Sequence, residues 1–172
     1  MPAMLPLPAC PAGCDVCCRL SLTVFPVEAF YLRSALLRLP AAGRRLLAER
    51  RKHPDPETCL LLVDHRCLLY PYRPIICRTH GYLFLGRGGE GPEGWEIFPG
   101  CEHARQDRTR PAQEKPSRVS ALLIDPINEM LVAVNRLFLQ EGGLRGGSPP
   151  VRIPIAEVPS LGPPGGDAHA SV

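Results

Sequence analysis

Apolar residues recur at helical spacing in two neighbouring stretches of the N-terminal half. Residues 26–39 follow a mainly helical period, and residues 41–53 continue it until Pro54. Pro40 and Gly43 interrupt the pattern at the junction of the two stretches. The sequence therefore predicts two helices that are hinged near Pro40 and Gly43.

Two short apolar runs around a polar turn follow in residues 58–72, TCLLLVDHRCLLYPY. This pattern predicts a tight hairpin that carries Cys59 on one arm and Cys67 on the other. The alternative is a continuous buried helix, because periodicity alone does not distinguish a strand from a helix in short apolar runs.

Residues 74–101 predict a short helical turn and then a second hairpin. Pro74 suits the opening of a helical turn that contains Cys77. Residues 81–98 have two strand-like runs around a glycine-rich loop, and Cys101 follows them directly.

A final amphipathic pattern covers residues 125–143. Asp125 is expected to cap the helix, Pro126 to occupy its first position, and Gly142 and Gly143 to end it. A broad apolar side is expected to pack on the core, with Ile127, Met130, Leu131, Val134, Leu137 and Phe138.

The C-terminal residues 141–172 are rich in glycine and proline, which favours a flexible tail. Alternatively, the run VRIPIAEV at 151–158 within this tail docks as an edge strand or binds a partner. We thus expect one small α+β domain over residues 8–140, with two short hairpins packed on three to four helices, followed by the tail.

Composition limits the classes of function. With 21 prolines and 16 glycines among 172 residues, the chain is loop-rich, so burial alone is not expected to hold the fold. A net charge of +3 does not favour a nucleic-acid partner, and the arginine-rich residues 43–53 are interpreted as a solvated helix side. Neither a secretory signal nor a membrane-spanning stretch is recognisable, so a cytoplasmic location is expected.

Cysteine is the chemically informative residue. Eight cysteines occur, all in the first 101 residues: Cys10, Cys14, Cys17, Cys18, Cys59, Cys67, Cys77 and Cys101. In a reducing compartment, such clustering favours metal ligation over disulfides or inert buried thiols. A zinc ion or an iron-sulfur cluster takes four such ligands, so eight suit two zinc sites, one cluster plus one zinc, or a larger assembly.

Cys17 and Cys18 raise a question of their own, because consecutive side chains point apart in a helix or a strand. The doublet therefore predicts ligands to different metals, or one cysteine that binds none. His53, His65, His80 and His103 are further candidate ligands, although each alone is more typical of surface or supporting positions.

The spacing of CPAGCDVC at 10–17 is similar to that of the cluster cysteines in radical S-adenosylmethionine enzymes, which is a competing enzymatic interpretation. Two observations weigh against it. Val16 stands where those enzymes usually have an aromatic residue, and the chain does not predict their repeated alternation of strands and helices.

The run CLLLVDHRCLLYPYRPIICR at 59–78 resembles the signature of the YkgJ-type cysteine-cluster family. The resemblance covers about residues 8–103, and the spacing between Cys10 and Cys14 is one residue longer than in the commonest form. The matching positions are Cys59, Cys67, Tyr70, Arg73, Pro74, Cys77, Arg78 and Cys101.

The resemblance implies an iron-sulfur cluster or zinc held by the eight cysteines, with Tyr70, Arg73 and Arg78 placed around the sulfurs. Alternatively, Tyr70 and Arg73 only fix the turn between hairpin and helix. Metal binding is the expected function. The alternatives are an iron-sulfur enzyme in electron or methyl transfer and a zinc-stabilised module that binds another protein. No catalytic residue is identifiable.

Overall fold

Short helices alternate with small sheets along the chain, which a computed structural model describes at residues 13–87, 95–101, 121–142 and 152–162. The fold class is α+β, as predicted. These residues belong to two compact units. The helical unit comprises residues 15–74, 131–142 and 152–162. The sheet unit comprises residues 13–14, 75–87, 95–101 and 121–130.

The two predicted helices are confirmed as α1, Pro26–Leu37, and α2, Ala41–Lys52. Proline at the first position suits the start of α1, because that residue has no amide hydrogen to satisfy. A break at residues 38–40 separates the helices, and Pro40 is the residue immediately before α2. Leu47 is the buried position of α2, and its arginine-rich side is largely exposed.

Two polar side chains satisfy amides at the start of α1. The carboxylate of Glu28 accepts a hydrogen bond from the amide of Phe25 at 3.1 Å. Oδ1 of Asn135 accepts one from the amide of Val27, also at 3.1 Å. Since the first amides of a helix have no partner within it, these bonds explain why Glu28 and Asn135 are buried among apolar residues.

The first predicted hairpin is also confirmed. Strands β2, Leu62–Val63, and β3, Arg66–Cys67, pair antiparallel, with Leu62 opposite Cys67. Asp64 and His65 form the two-residue turn, with φ of 46° and 59°. Positive φ at both central positions matches the turn that fits the twist of a tight hairpin.

The C-terminal region departs from the flexible-tail prediction at residues 152–162. Strand β7, Ile153–Pro154, pairs antiparallel with β1, Thr23–Val24, and a 3-10 turn follows at Ile155–Ser160. Burial of Ile153, Ile155 and Val158 explains the docking, because apolar side chains spaced along this segment enter the core of the helical unit. The edge-strand alternative is therefore correct for this segment, and the rest of the predicted tail from residue 143 onward lies outside the described residues.

The helical unit has one apolar core around α1. Leu32 is 1% exposed and Leu69, Val24 and Val158 are 0% exposed. Helix α1 contacts both the 3-10 turn at Tyr70–Tyr72 and the C-terminal turn at Ile155–Ser160. Segments from both ends of the sequence thus share this core.

The sheet unit contains α3, Ile75–Thr79, and a three-stranded sheet. Pro74 directly precedes α3, as predicted. Strands β4, Leu83–Arg87, and β5, Trp95–Pro99, form the second predicted hairpin, and β6, Leu122–Leu123, pairs parallel with β4.

Gly100 packs closely against β4 and against Tyr82, the residue that precedes this strand. Its amide donates to the carbonyl of Tyr82 at 2.9 Å, and an added Cβ would lie 2.8 Å from Cε2 of Phe84. A larger residue is therefore excluded here without a shift of the Phe84 ring. This close approach sets the position of the following Cys101.

Helix α4, Ile124–Gln140, corrects two predictions. It begins before Asp125, whose Oδ2 accepts a hydrogen bond from the amide of Arg87 at 3.0 Å, so this carboxylate ties the helix start to β4. The predicted apolar side is only partly covered: Met130, Val134 and Leu137 are at least half exposed. The rings of Phe138 and Phe30 are tilted by 44° with centroids 5.4 Å apart, and the buried amide of Asn135 completes the contact with α1.

The end of α4 agrees with the sequence, since the helix stops at Gln140 and Gly142 has φ of 87°. Among the described residues, none of the helices combines the length and the apolar character needed to cross a membrane.

Candidate metal centre

Four cysteines come together in the helical unit: Cys17, Cys18, Cys59 and Cys67. The first two lie in a 3-10 turn at Val16–Arg19, whereas Cys59 precedes β2 and Cys67 is the last residue of β3. Backbone hydrogen bonds fix the segments to each other. The amide of Cys18 donates to the carbonyl of Asp15 at 2.8 Å, and the amide of Cys59 donates to the carbonyl of Cys18 at 2.6 Å. We call these four residues the thiol cluster.

A repeated tripeptide, Cys-Leu-Leu, supports the two hairpin thiols. It occurs at residues 59–61 and again at 67–69. In each copy, the amide of the last leucine donates a hydrogen bond to the cysteine sulfur. Leu61 and Leu69 are 3% and 0% exposed, so burial of their side chains anchors the two amides. Such donors favour a sulfur that carries negative charge, and the repeat is the sequence signal that would have predicted them.

The cysteine doublet differs from its prediction. Cys17 and Cys18 are hydrogen-bonded to each other through their side chains, so the expectation that they point apart is wrong. Successive residues of a 3-10 turn are rotated by about 120°, yet Cys17 and Cys18 both interact with the hairpin thiols Cys59 and Cys67. This hydrogen bond, followed by burial and by the neighbouring thiols Cys59 and Cys67, raises the pKa of Cys18.

Burial is the main cause that raises the pKa of Cys59 and of Cys67. In each case Cys17 raises the pKa further, since two thiolates close together repel one another. One arginine opposes the shift at each site: Arg50 lowers the pKa of Cys59, and Arg73 lowers that of Cys67. The cluster therefore combines four mutually interacting thiols with two nearby cations.

Arg73 and Tyr70 form a pair beside Cys67. The guanidinium carbon of Arg73 lies 3.8 Å from the centroid of the Tyr70 ring, which is cation–π geometry. Tyr70 contributes its ring to this pair. Arg78 is exposed on α3 in the sheet unit, and its expected contact with a sulfur stays a prediction.

A side-chain hydrogen bond at the rim of the cluster joins its two segments. Nδ1 of His65, at the hairpin tip, lies 2.7 Å from Oδ2 of Asp15, and Arg19 contacts the same oxygen at 3.4 Å. The hydrogen bond with His65 is the main cause that lowers the pKa of Asp15. The segment with the cysteine doublet is thereby connected to the hairpin at two places, through this hydrogen bond and through the bond between the Cys59 amide and the Cys18 carbonyl.

Three further cysteines of the predicted set are among the described residues. Cys14, Cys77 and Cys101 are half-buried and belong to the sheet unit. Cys10 and His103 lie outside the described residues. The other candidate histidines have contacts of their own: His53 with Glu49, His65 with Asp15, and His80 with the carbonyl of Ile76.

The geometry of the cluster is open. Over the described ranges, no three or more His, Cys, Asp or Glu side chains are arranged so that they could hold a metal ion as they stand. The seven cysteines of these ranges form no disulfides with one another. The residue types of the thiol cluster are nevertheless those that thiophilic metals bind, since four sulfurs interact with one another, with two backbone amides and with two arginines.

Comparison with protein-family models, with curated proteins and with solved structures finds no match to the chain. Fold and site together define a class: a small α+β protein with eight cysteines, four of which form a thiol cluster.

Proposed function

We propose that the protein binds a metal ion or an iron-sulfur cluster through the thiol cluster Cys17, Cys18, Cys59 and Cys67. The observation that carries the proposal is that two segments distant in the sequence bring four thiols close enough to shift one another's pKa. Four thiolates complete the coordination of zinc or of an iron centre. The remaining cysteines Cys10, Cys14, Cys77 and Cys101 are proposed to serve a second centre.

Charge balance supports the same function. Four thiolates around one divalent ion leave a charge of minus two, and a half-buried negative charge needs compensation. Arg50 and Arg73 provide two positive charges on the side of the hairpin cysteines. A cluster of inert apolar cysteines would have no need of these cations.

Protonated thiols do not need to lie at metal-ligand distances, which is consistent with the open geometry. Metal binding replaces their protons, removes the repulsion between thiolates and draws the sulfurs onto one centre. Binding is then coupled to closure of the segment at residues 15–19 on the hairpin at residues 59–69. This function requires reduced thiols, and hence a reducing compartment such as the cytosol.

Membership of the YkgJ-type family is part of the proposal. The spacing of Cys67, Tyr70, Arg73 and Cys77 supports it, and so does the pairing of Tyr70 with Arg73 beside Cys67. An iron-sulfur enzyme and a zinc-stabilised module remain the two forms that this function can take. They differ in the metal, which a direct measurement identifies.

The test is anaerobic purification followed by metal analysis and a visible spectrum. Zinc gives a colourless protein with stoichiometric metal, whereas an iron-sulfur cluster gives visible absorbance that a reductant bleaches. Cys59→Ser and Cys67→Ser are each expected to lose the metal of the thiol cluster. Arg66→Ser, an exposed position on the same hairpin, is the matched control and is expected to keep it.

Two results contradict the proposal. In the first, the wild-type chain contains no metal and takes up neither zinc nor iron under reducing conditions. In the second, both serine variants retain the metal content of the Arg66→Ser control. In that case a bound metal belongs to other cysteines.

A further inference from the structure

Arg50 makes several contacts at the end of α2. The sequence predicted that this arginine-rich region is exposed to solvent. Its side chain is 22% exposed. Nη1 donates to the carbonyl of His53 at 3.3 Å, and Nη2 donates to Oγ1 of Thr58. Nη2 also lies 3.7 Å from Oδ2 of Asp55. One guanidinium therefore contacts three residues of the loop that connects α2 to Cys59.

This loop is folded around Asp55 as well. Oδ1 of Asp55 accepts a hydrogen bond from the amide of Glu57 at 2.9 Å, and Oδ2 accepts one from the hydroxyl of Thr58 at 2.8 Å. The Thr58 amide donates to the Asp55 carbonyl at 3.3 Å. The loop is thus a closed turn whose last residue, Thr58, is held by Arg50 and precedes Cys59.

Cys59 is in turn the point where the two halves of the thiol cluster meet, because its amide donates to the carbonyl of Cys18 at 2.6 Å. A displacement of Thr58 would move both this amide and the Cys59 sulfur. The planar fork of an arginine suits such a task, since it directs several donors in fixed directions and keeps its charge.

We propose that Arg50 is a positioning residue of the metal centre: it holds the loop of residues 53–58 so that Cys59 faces the other three thiols, and it places a positive charge beside that sulfur. The inference rests on the proposed metal-binding function and adds a residue outside the cysteine motifs. The neighbouring Arg51 is exposed and provides the matched control.

The experiment compares zinc affinity, by competition with a chromophoric chelator, in the wild type, Arg50→Gln, Arg50→Lys and Arg51→Gln. Loss of a group that orients a ligand typically weakens metal binding by about 10- to 100-fold, and this is expected for Arg50→Gln. Lysine keeps the charge but not the fork, so a smaller loss is expected. Arg51→Gln is expected to stay within about twofold of the wild type, as for an exposed charge.

Saturation with cobalt(II) separates positioning from a general loss of stability. The intensity of sulfur-to-cobalt charge transfer reports how many thiolates bind, and at saturation it does not depend on affinity. Arg50→Gln is expected to lower this intensity as Cys59→Ser does. In the Cys59→Ser background, Arg50→Gln is expected to have no further effect, because the two changes act through the same sulfur.

Three outcomes overturn the inference. Arg50→Gln binds zinc like Arg51→Gln, or its cobalt spectrum keeps the wild-type intensity, or its effect adds fully to that of Cys59→Ser. If Arg50→Gln does not fold, the cobalt spectrum of Arg50→Lys tests the inference instead. A wild-type charge-transfer intensity in Arg50→Lys then contradicts it. A wild-type chain that binds neither zinc nor cobalt refutes the proposed function itself, and the inference with it.

Discussion

At the scale of single residues, the thiol cluster favours protonated sulfur. The hydrogen bond with Cys17 is the main cause that raises the pKa of Cys18, and burial is the main cause at Cys59 and Cys67. A metal that binds here has to displace these protons, and its charge then stabilises the thiolates. With rising pH, these thiols are therefore expected to lower the stability of the metal-free protein and to raise that of the metal-bound protein.

The first prediction concerns the metal-free protein. Thiols in the unfolded chain titrate near pH 8.5, whereas Cys18, Cys59 and Cys67 have a raised pKa in the fold. Their contribution to stability is therefore fully present below about pH 8 and is lost as the pH rises through the folded pKa values. Thermal unfolding in the presence of a chelator is expected to show a melting temperature that falls between about pH 8 and pH 10.

The metal-bound protein is expected to show the opposite trend. Rising pH removes the protons that compete with the metal, so zinc affinity and the melting temperature increase together. From Cys18, Cys59 and Cys67 alone, about three protons are released per zinc near pH 7, which calorimetry in buffers of different ionisation enthalpy measures. Zinc binding without proton release would contradict the placement of zinc at these thiols.

The second prediction concerns Arg73, whose guanidinium stacks on Tyr70 beside Cys67. Arg73→Gln removes the charge and the planar group, and a loss of metal affinity of about 10-fold or more is expected. Arg73→Lys keeps the charge but stacks less well, so an intermediate loss is expected. If metal content, reduction potential and stability are all unchanged in Arg73→Lys, Arg73 neither tunes the metal nor fixes the turn.

Tyr70 and Arg73 were identified from the sequence because they match the YkgJ-type motif that begins at Cys67. Arg50 was not, although it is close to Cys59 in the sequence. Its position among several similar basic residues carries no signal of which one turns inward. The fold of the loop around Asp55 makes that selection.

At the scale of elements, α4 shows how a helix is positioned by one polar residue. Asn135 is 7% exposed, and its side-chain oxygen accepts the amide of Val27 at the start of α1. Val134 and Leu137, on either side of it, are 50% and 59% exposed. The contact between the two helices therefore combines the tilted Phe30–Phe138 ring pair with this hydrogen bond.

The third prediction follows from this contact. Asn135→Ala leaves the Val27 amide without its acceptor, and a loss of about 1–2 kcal/mol in the free energy of unfolding is expected. Asn128→Ala, at an exposed position of the same helix, is the matched control and is expected to change stability by less than about 0.5 kcal/mol. Urea unfolding measures both, and equal midpoints would contradict the capping role.

Periodicity alone predicted a broader buried side for α4 than the structure has. The apolar residues Met130, Val134 and Leu137 satisfy the helical period, yet what is buried depends on the surface that α1 offers. That surface has an unpaired helix start, which an amide can satisfy and an aliphatic side chain cannot. The buried asparagine inside an apolar run was therefore not predictable from the run itself.

At the scale of the whole molecule, the helical unit is assembled from both ends of the sequence. Strand β1 follows the cysteine doublet closely and pairs with β7, and the amide of Ile155 donates to the carbonyl of Leu22 at 3.1 Å. Arg152 stacks on Phe25, with 4.3 Å from the guanidinium carbon to the ring centroid. The segment that carries Cys17 and Cys18 is thus held by the hairpin on one side and by the C-terminal segment on the other.

The fourth prediction concerns the coupling of metal to this assembly. Removal of metal by a chelator is expected to increase hydrogen exchange across residues 15–24 and 59–72. The Leu61 and Leu69 amides are expected to respond most, because they donate to sulfurs that metal would hold. The Ala41–Lys52 helix, which contains no cysteine, is the internal reference. Unchanged exchange at Leu61 and Leu69 would indicate that the cluster does not depend on metal.

The sequence by itself determined the local elements: the helices around Pro40, the hairpin around Asp64 and His65, the helical turn after Pro74 and the reactive residue type. These depend on interactions between neighbours in the chain, which periodicity, turn residues and caps express directly. Only the tertiary structure decided which cysteines meet, that the doublet faces one hairpin, that Arg50 turns inward and that Ile153–Ser160 docks on β1. These depend on contacts between segments far apart in the chain, and such contacts are selected by the burial and hydrogen bonds of the complete fold.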